Sequence, residues 1–163
     1  NPRNYVSAQV RLGQAQRGHD KQLAARLQER IANRRKDHNH KISKEIVQNY
    51  NEIYITNDNL RGQSKIFGKS VSDAGISQLR KFILYKGDNH GRVVKLVNSK
   101  YTTMTCGNCW ALTGPTGLSG PAVRDWECSD CGSVLDRDIN AANVILKLGS
   151  GTDLVSNKGE IRC

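Results

Sequence analysis

Four cysteines carry the spacing most able to do chemistry: Cys106-Gly-Asn-Cys109, eighteen further residues, then Cys128-Ser-Asp-Cys131. Two C-x-x-C knuckles at that separation read as a zinc ribbon, in which four thiolates close a tetrahedral shell at about 2.3 Å from the metal. A closed shell has no position for substrate, so the expected Zn²⁺ is a structural staple and not a catalyst. Its apparent binding energy, on the order of 10–16 kcal/mol, decides whether a small glycine-rich segment folds. The competing arrangement, two disulfides, is disfavoured in a chain without a secretory signal. Trp110 and Trp126 flank the knuckles and are expected to pack the ribbon's small core, and Thr113-Gly114-Pro115-Thr116-Gly117 reads as turn chemistry.

A carboxylate group follows at once, in Asp136-Arg137-Asp138-Ile139-Asn140-Ala141-Ala142-Asn143. Asp138 precedes an apolar stripe of Ala141, Ala142, Val144, Ile145 and Leu148 that ends at Gly149, which places it at a helix N-terminus. The helix dipole there favours an ionised carboxylate and suits a Mg²⁺ ligand. The same position suits a helix cap, and spacing alone leaves both roles open.

The run from Cys106 through Val123-Arg124-Asp125-Trp126-Glu127-Cys128 to Asp136-Arg137-Asp138-Ile139-Asn140-Ala141-Ala142 resembles the C-terminal half of the TnpB (OrfB) proteins of bacterial insertion sequences. Those proteins are compact RNA-guided DNA endonucleases with a RuvC-type core, similar to the ancestors of the type V CRISPR effectors. The likeness continues upstream through Lys69-Ser70-Val71-Ser72-Asp73-Ala74-Gly75 and Glu29-Arg30-Ile31-Ala32-Asn33-Arg34-Arg35, so it covers nearly the whole chain. It implies guide RNA and target DNA as partners, and Asp138 as the third acidic ligand of a Mg²⁺ site. The family's second acid, a Glu at the end of a strand, aligns with Thr56. The family's first acid, in a Gly-Ile-Asp-like run, has no counterpart in this sequence, because residues 1–50 read as helices throughout. A preceding segment or a partner chain is therefore expected to complete the sheet, in keeping with a chain that begins at Asn1 and not Met.

The elements that must position these groups follow from periodicity. Residues 3–17 place Tyr5, Ala8, Leu12 and Ala15 at helical spacing; Gly18-His19-Asp20 breaks the pattern, and Asp20 can cap a second helix. That helix carries Leu23, Leu27 and Ile31, a polar interruption at residues 34–40, then Ile42 and Ile46, and pairs with the first as an antiparallel hairpin. Arg26, Arg30 and Arg34 recur at one-turn intervals, with Arg35 beside them, as a basic row able to track phosphates. His38 and His40 lack further ligands and read as surface residues.

Glu52–Thr56 reads as a central strand, Arg61–Gly68 as a loop, and Ser72 or Asp73 as the cap of a helix with Ile76, Leu79 and Ile83 inward and Gly87 closing it. Arg92–Val97 reads as a second strand. Strand alternation puts Glu52, Thr56 and Asp58 on one face. Glu52 lies about 13 Å from Thr56 along the strand and Asp58 about 6.6 Å, so Asp58 is the better substitute acid. The expected fold is α/β: a partial RNase-H-like (RuvC) fold with a helical hairpin and an inserted four-cysteine zinc ribbon. Its parts are a hairpin at 1–50, strand-helix-strand at 51–100, ribbon at 101–135, C-terminal helix at 136–148 and a flexible tail at 149–163.

Composition bounds the rest. The 163 residues are 37% hydrophobic with a net charge of +10, so the core is modest and the natural partner is a polyanion, most simply nucleic acid. No apolar run approaches the ~18 residues of a membrane span, and a reducing bacterial cytoplasm is the expected compartment. The fifth cysteine, Cys163, reads as an incidental exposed thiol. RuvC-type cleavage needs converging carboxylates to hold two Mg²⁺ ions about 3.5–4 Å apart. With Thr56 at the second position, the expected function is RNA-guided DNA binding with a degenerate nuclease site, by a chain inactive by itself. The alternatives are the C-terminal part of an active endonuclease, with Asp58 relocated into the site, and a plain zinc-ribbon module that binds nucleic acid.

Overall fold

The computed structural model describes residues 4–58, 75–117 and 120–151. The features expected at Arg61–Gly68, Ser72, Asp73 and Cys163 lie outside the described residues. In chain order the elements are α1 (Asn4–Arg17), α2 (Lys21–Asn49), β1 (Glu52–Thr56), α3 (Ile76–Asn89), β2 (Val93–Val97), a short 3-10 turn (Gly120–Ala122), β3 (Asp125–Glu127), β4 (Val134–Asp136) and α4 (Arg137–Ser150). They form two compact units, Asn1–Ile53 with Asn59–Val94 and Tyr54–Asp58 with Lys95–Cys163.

In the first unit, α2 begins at an Asp20 cap whose carboxylate accepts from the Leu23 N–H at 2.9 Å. Leu12 and Ala15 of α1 bury against Leu27 and Ile31 of α2, with Tyr5, Ala8, Leu23 and Ala24 around them. α2 runs unbroken through the polar interruption expected at 34–40, and its buried residues continue past it as Asn39, Ser43 and Val47, two of them polar. Each step of four residues advances about 40° around the helix, so the stripe winds by about 140° between Leu27/Ile31 and Asn39–Val47. The first half meets α1; the second meets α3.

That second interface is polar and satisfied. Asn39, 1% exposed, donates to the Gly75 carbonyl at 3.1 Å and to Gln78 Oε1 at 3.2 Å. Lys86 Nζ donates to the His40 carbonyl and to Ser43 Oγ, each at 2.7 Å. Burial, with Lys44 nearby, lowers the Lys86 pKa. His40 is not a free surface residue; its ring stacks on Phe82 at 3.9 Å between centroids.

Two expectations for α3 are corrected. Ile76 is exposed, while Ile83 is buried. Gly87 does not end the helix: a Cβ there would lie 2.3 Å from Val94 Cγ2, so the glycine admits β2 against α3. β1 pairs with β2, through the Val93 N–H to the Asn51 carbonyl and the Asn57 N–H to the Val97 carbonyl, both at 2.9 Å. Those bonds advance together along both strands, so the pair is parallel and α3 belongs to its crossover.

The second unit contains β3 and β4, antiparallel with Trp126 opposite Leu135, and α4, which starts on the residue after β4. Trp126, Cys106 and Cys128 form its buried cluster, with Cys109 and Leu135 packed against it. At the far end of α4, Gly149 lies against the Tyr54 ring, where a Cβ would come within 2.1 Å of Cδ1.

Candidate metal centre

The two knuckles are copies of one backbone turn. In the first, Cys106 N–H donates to the Ala111 carbonyl at 2.8 Å and Trp110 N–H to the Cys106 carbonyl at 2.9 Å. In the second, Cys128 N–H donates to Ser133 at 2.9 Å and Gly132 N–H to Cys128 at 2.8 Å. The fifth residue of each turn is left-handed, Gly132 at φ 69° and Trp110 at φ 67°. Trp110, expected simply to pack the core, is half-buried and occupies a position where glycine is unstrained.

The four Sγ atoms lie within 4.8 Å of one another, with Cys106–Cys131 at 3.7 Å and Cys109–Cys128 at 3.6 Å. A tetrahedral zinc with 2.3 Å bonds requires sulfur–sulfur edges of about 3.8 Å, so the cluster is consistent with a zinc site. No disulfide joins them. Donors surround the sulfurs: Thr113 Oγ1 to Cys128 at 3.1 Å, Ser133 Oγ at 3.2 Å from Cys131, Asn108 Nδ2 to Cys131 at 3.7 Å and Asn108 N–H to Cys106 at 3.4 Å.

These donors set the charge. The Ser133 hydroxyl, with backbone and Asn108 help, brings Cys131 down to about 6, and the Thr113 hydroxyl lowers Cys128. Cys109 moves the other way: although the Ala111 backbone favours its thiolate, burial and the surrounding thiols push it well above the usual thiol range. A shell that cannot ionise fully by itself is what a divalent cation completes. Zinc loading must displace the Cys109 proton, so apparent affinity is expected to rise with pH. Below about pH 6 Cys131 also protonates and the loss steepens, towards about tenfold per pH unit for each proton displaced. Competition with a chromophoric chelator from pH 8 to 5 measures it; a flat profile contradicts it.

Beyond the knuckles, the helix cap is not Asp138. Asp136 accepts from the N–H groups of Asp138 at 2.9 Å and Ile139 at 2.8 Å, and Asp138 falls inside the first turn. Capping is thereby assigned to another residue, and the Asp138 side chain stays 78% exposed. Its Oδ1 accepts from Arg137 Nε at 3.0 Å and Nη2 at 2.9 Å, while Arg137 Nη1 donates to the Gly120 carbonyl at 3.0 Å. Asp136→Ala is expected to cost about 1 kcal/mol of stability in denaturant melts, and Asp138→Ala less than about 0.5 kcal/mol. Equal losses would contradict the cap assignment.

Thr56 Oγ1 donates to Asp58 Oδ2 at 2.5 Å, so the structure brings together the two residues considered for the second acidic position. On α2, Arg26, Arg30 and Arg34 are exposed, whereas Arg35 is half-buried with its stem against Gly75. Sequence reasoning missed Asn140 and Lys147, which tie α4 to the first knuckle. Asn140 Oδ1 accepts from the Gly107 N–H, its Nδ2 donates to the Thr105 carbonyl, both at 2.7 Å, and Lys147 Nζ donates to the Gly107 carbonyl at 2.8 Å. Their seven-residue separation on one helix face was the available signal.

Paired knuckles that gather four thiols, continued directly into a helix bearing Asp-Arg-Asp, define a small mixed α/β domain with a four-cysteine cluster consistent with a zinc site. Residues 77–145 match the family described as Cas12f1-like, TNB domain, and the chain is homologous to the C-terminal region of TnpB- and Cas12f-like proteins. It is 36% identical over 141 residues to a Streptomyces pristinaespiralis protein named for RNA-guided DNA endonuclease activity, covering 84% of this chain and 34% of that protein. It is 32% identical over 128 residues to a TnpB-like protein of Acanthamoeba polyphaga mimivirus, covering 74% of this chain and 24% of the relative. The fold is similar to a chain in the cryo-EM structure of a Cas12f1–sgRNA–target DNA complex, with TM-score 0.64, 17% identity, and coverage of 87% of this chain and 41% of that one. The chain thus spans about a third or less of the curated relatives' lengths. No helix among the described residues is long and apolar enough to cross a membrane.

Proposed function

We propose that this chain is part of an RNA-guided DNA-binding protein of TnpB descent whose RuvC-like nuclease site is degenerate. The parallel β1–α3–β2 unit supports reading the domain as part of an RNase-H-like sheet, with α1 and α2 as its helical pair, 101–135 as its inserted ribbon and α4, which runs two residues past the expected end at 148, as the helix carrying Asp138. In this reading guide pairing selects the DNA sequence, and the protein holds the duplex by shape and charge. A net charge of +10 supplies the electrostatic part, with Arg26, Arg30, Arg34 and Arg35 on α2 tracking phosphates.

The observation that carries degeneracy is the Thr56–Asp58 hydrogen bond. A hydroxyl stands where the family places a carboxylate, and the nearest acid is engaged with that hydroxyl. Asp138 is the acid that matches the family motif, and it would hold Mg²⁺ in company with other carboxylates; the ion, when bound, activates water and stabilises the leaving oxygen. The same hydrogen bond favours a second reading, because it holds the Asp58 carboxylate beside the Thr56 side chain, where a relocated second acid would serve in an active endonuclease.

The test is guide-loaded protein assayed on matching DNA with Mg²⁺ or Mn²⁺. Guide-dependent binding without cleavage, unchanged in Asp58→Asn and Asp138→Asn, is the expected result. Cleavage lost in Asp58→Asn establishes the second reading, and absence of any discrete bound RNA overturns both in favour of a plain zinc-ribbon module.

A further inference from the structure

Gly107 stands between two of the clustered cysteines, and α4 holds both polar groups of its peptide. The N–H goes to Asn140 Oδ1 at 2.7 Å, and the carbonyl accepts from Lys147 Nζ at 2.8 Å. Asn140 is 2% exposed and uses its second amide atom on the Thr105 carbonyl at 2.7 Å, on the other side of Cys106. Space is matched as closely as polarity: a Cβ on Gly107 would stand 2.9 Å from Asn140 Oδ1 and 3.7 Å from Val144 Cγ2. Asn140, Val144 and Lys147 therefore present one continuous face of α4 to the knuckle.

Asp138 lies two residues before Asn140, in a first turn otherwise held by the Asp136 cap and by Arg137, whose N–H donates to the Arg124 carbonyl at 2.7 Å. We infer that Asn140 is a positioning residue that couples metal loading of the four-cysteine cluster to the order of the helix turn bearing Asp138. Cys106 is fixed when the shell closes; fixing it fixes Thr105 and Gly107, and their backbone groups orient Asn140. Without the metal, Thr105–Cys109 loses its anchor, and Asn140 loses the geometry of both its backbone partners at once. The ribbon then acts on the turn that carries Asp138 as well as on itself. The consequence for chemistry rests on the reading of Asp138 above, whereas the coupling does not, and it is measured without DNA.

The experiment follows amide hydrogen exchange at Asp138 and Ile139 by NMR on the full 163-residue chain, with and without Zn²⁺, for wild type, Asn140→Leu, Asn140→Asp and Lys147→Met. The Co²⁺–thiolate absorption spectrum reports the metal shell independently. In wild type, Zn²⁺ is expected to slow exchange at both amides at least about tenfold, the scale of one or two buried hydrogen bonds. In Asn140→Leu the Co²⁺ spectrum persists but most of that response is lost; Lys147→Met loses a smaller part. A merely structural role for Asn140 would degrade the spectrum and the protection together. Should Asn140→Leu fail to take up Co²⁺, Asn140→Asp carries the comparison, because it keeps the acceptor for Gly107 and loses the donor to Thr105. Metal-dependent protection within twofold of wild type in the Co²⁺-binding Asn140 variants overturns the inference.

Discussion

Cys128→Ser is expected to reduce zinc content from one ion per chain to near zero and to unfold the ribbon, while the α1–α2–α3 unit keeps its helical signal. Cys128 is 1% exposed, belongs to the buried cluster with Cys106 and Trp126, and accepts from Thr113. Serine removes a thiolate from a shell whose apparent binding energy is on the order of 10–16 kcal/mol, far more than the few apolar residues around it contribute. Metal analysis after gel filtration gives the first readout, and near-ultraviolet circular dichroism gives the second through Trp126. Full zinc retention with an unchanged Trp126 signal would show that three thiols suffice and that the shell is not closed as described.

The cysteine cluster was legible because C-x-x-C spacing encodes a backbone turn, and two such turns bring four sulfurs together whatever joins them. Asp20 was legible for a similar reason, since capping depends on neighbours along the chain. The polar half of α2 was not. Periodicity counts apolar side chains, and Asn39 and Ser43 bury because α3 supplies partners from residues 75–86. The cap of α4 was misread because two aspartates lie two residues apart, and the strand before them, ending at Asp136, sets which one has extended backbone. Asn140 was hidden by its role: its partners are backbone atoms more than thirty positions away.

The second large effect is expected at the other end of α4. Gly149→Val should cost about 2–3 kcal/mol, because a Cβ at that position falls 2.1 Å from Tyr54 Cδ1 and 2.6 Å from Cγ, inside any contact distance. On an open helix face, replacing glycine stabilises by up to about 1 kcal/mol, so even the sign of the change reports the contact. Tyr54→Ala in the same chain should recover part of the loss, with a coupling energy of at least about 1 kcal/mol in a double-mutant cycle of denaturant melts. Additive losses would mean that the helix and the strand do not meet there. Tyr54 is two residues ahead of Thr56, so this contact also bears on where Thr56 and Asp58 are held.

The winding stripe of α2 sets a rule for how the middle of that helix can change length. One residue inserted between Ile31 and Asn39 would turn Asn39, Ser43 and Val47 by about 100° relative to Leu27 and Ile31, enough to withdraw one half from its neighbour. Seven inserted residues would turn it by only about 20°, restoring the angle while lengthening the helix by about 10 Å. Relatives in which both α1 and α3 remain docked should therefore differ in this stretch by residue counts close to whole helical turns, such as seven, eleven or eighteen, or not at all, however freely its exposed side chains vary.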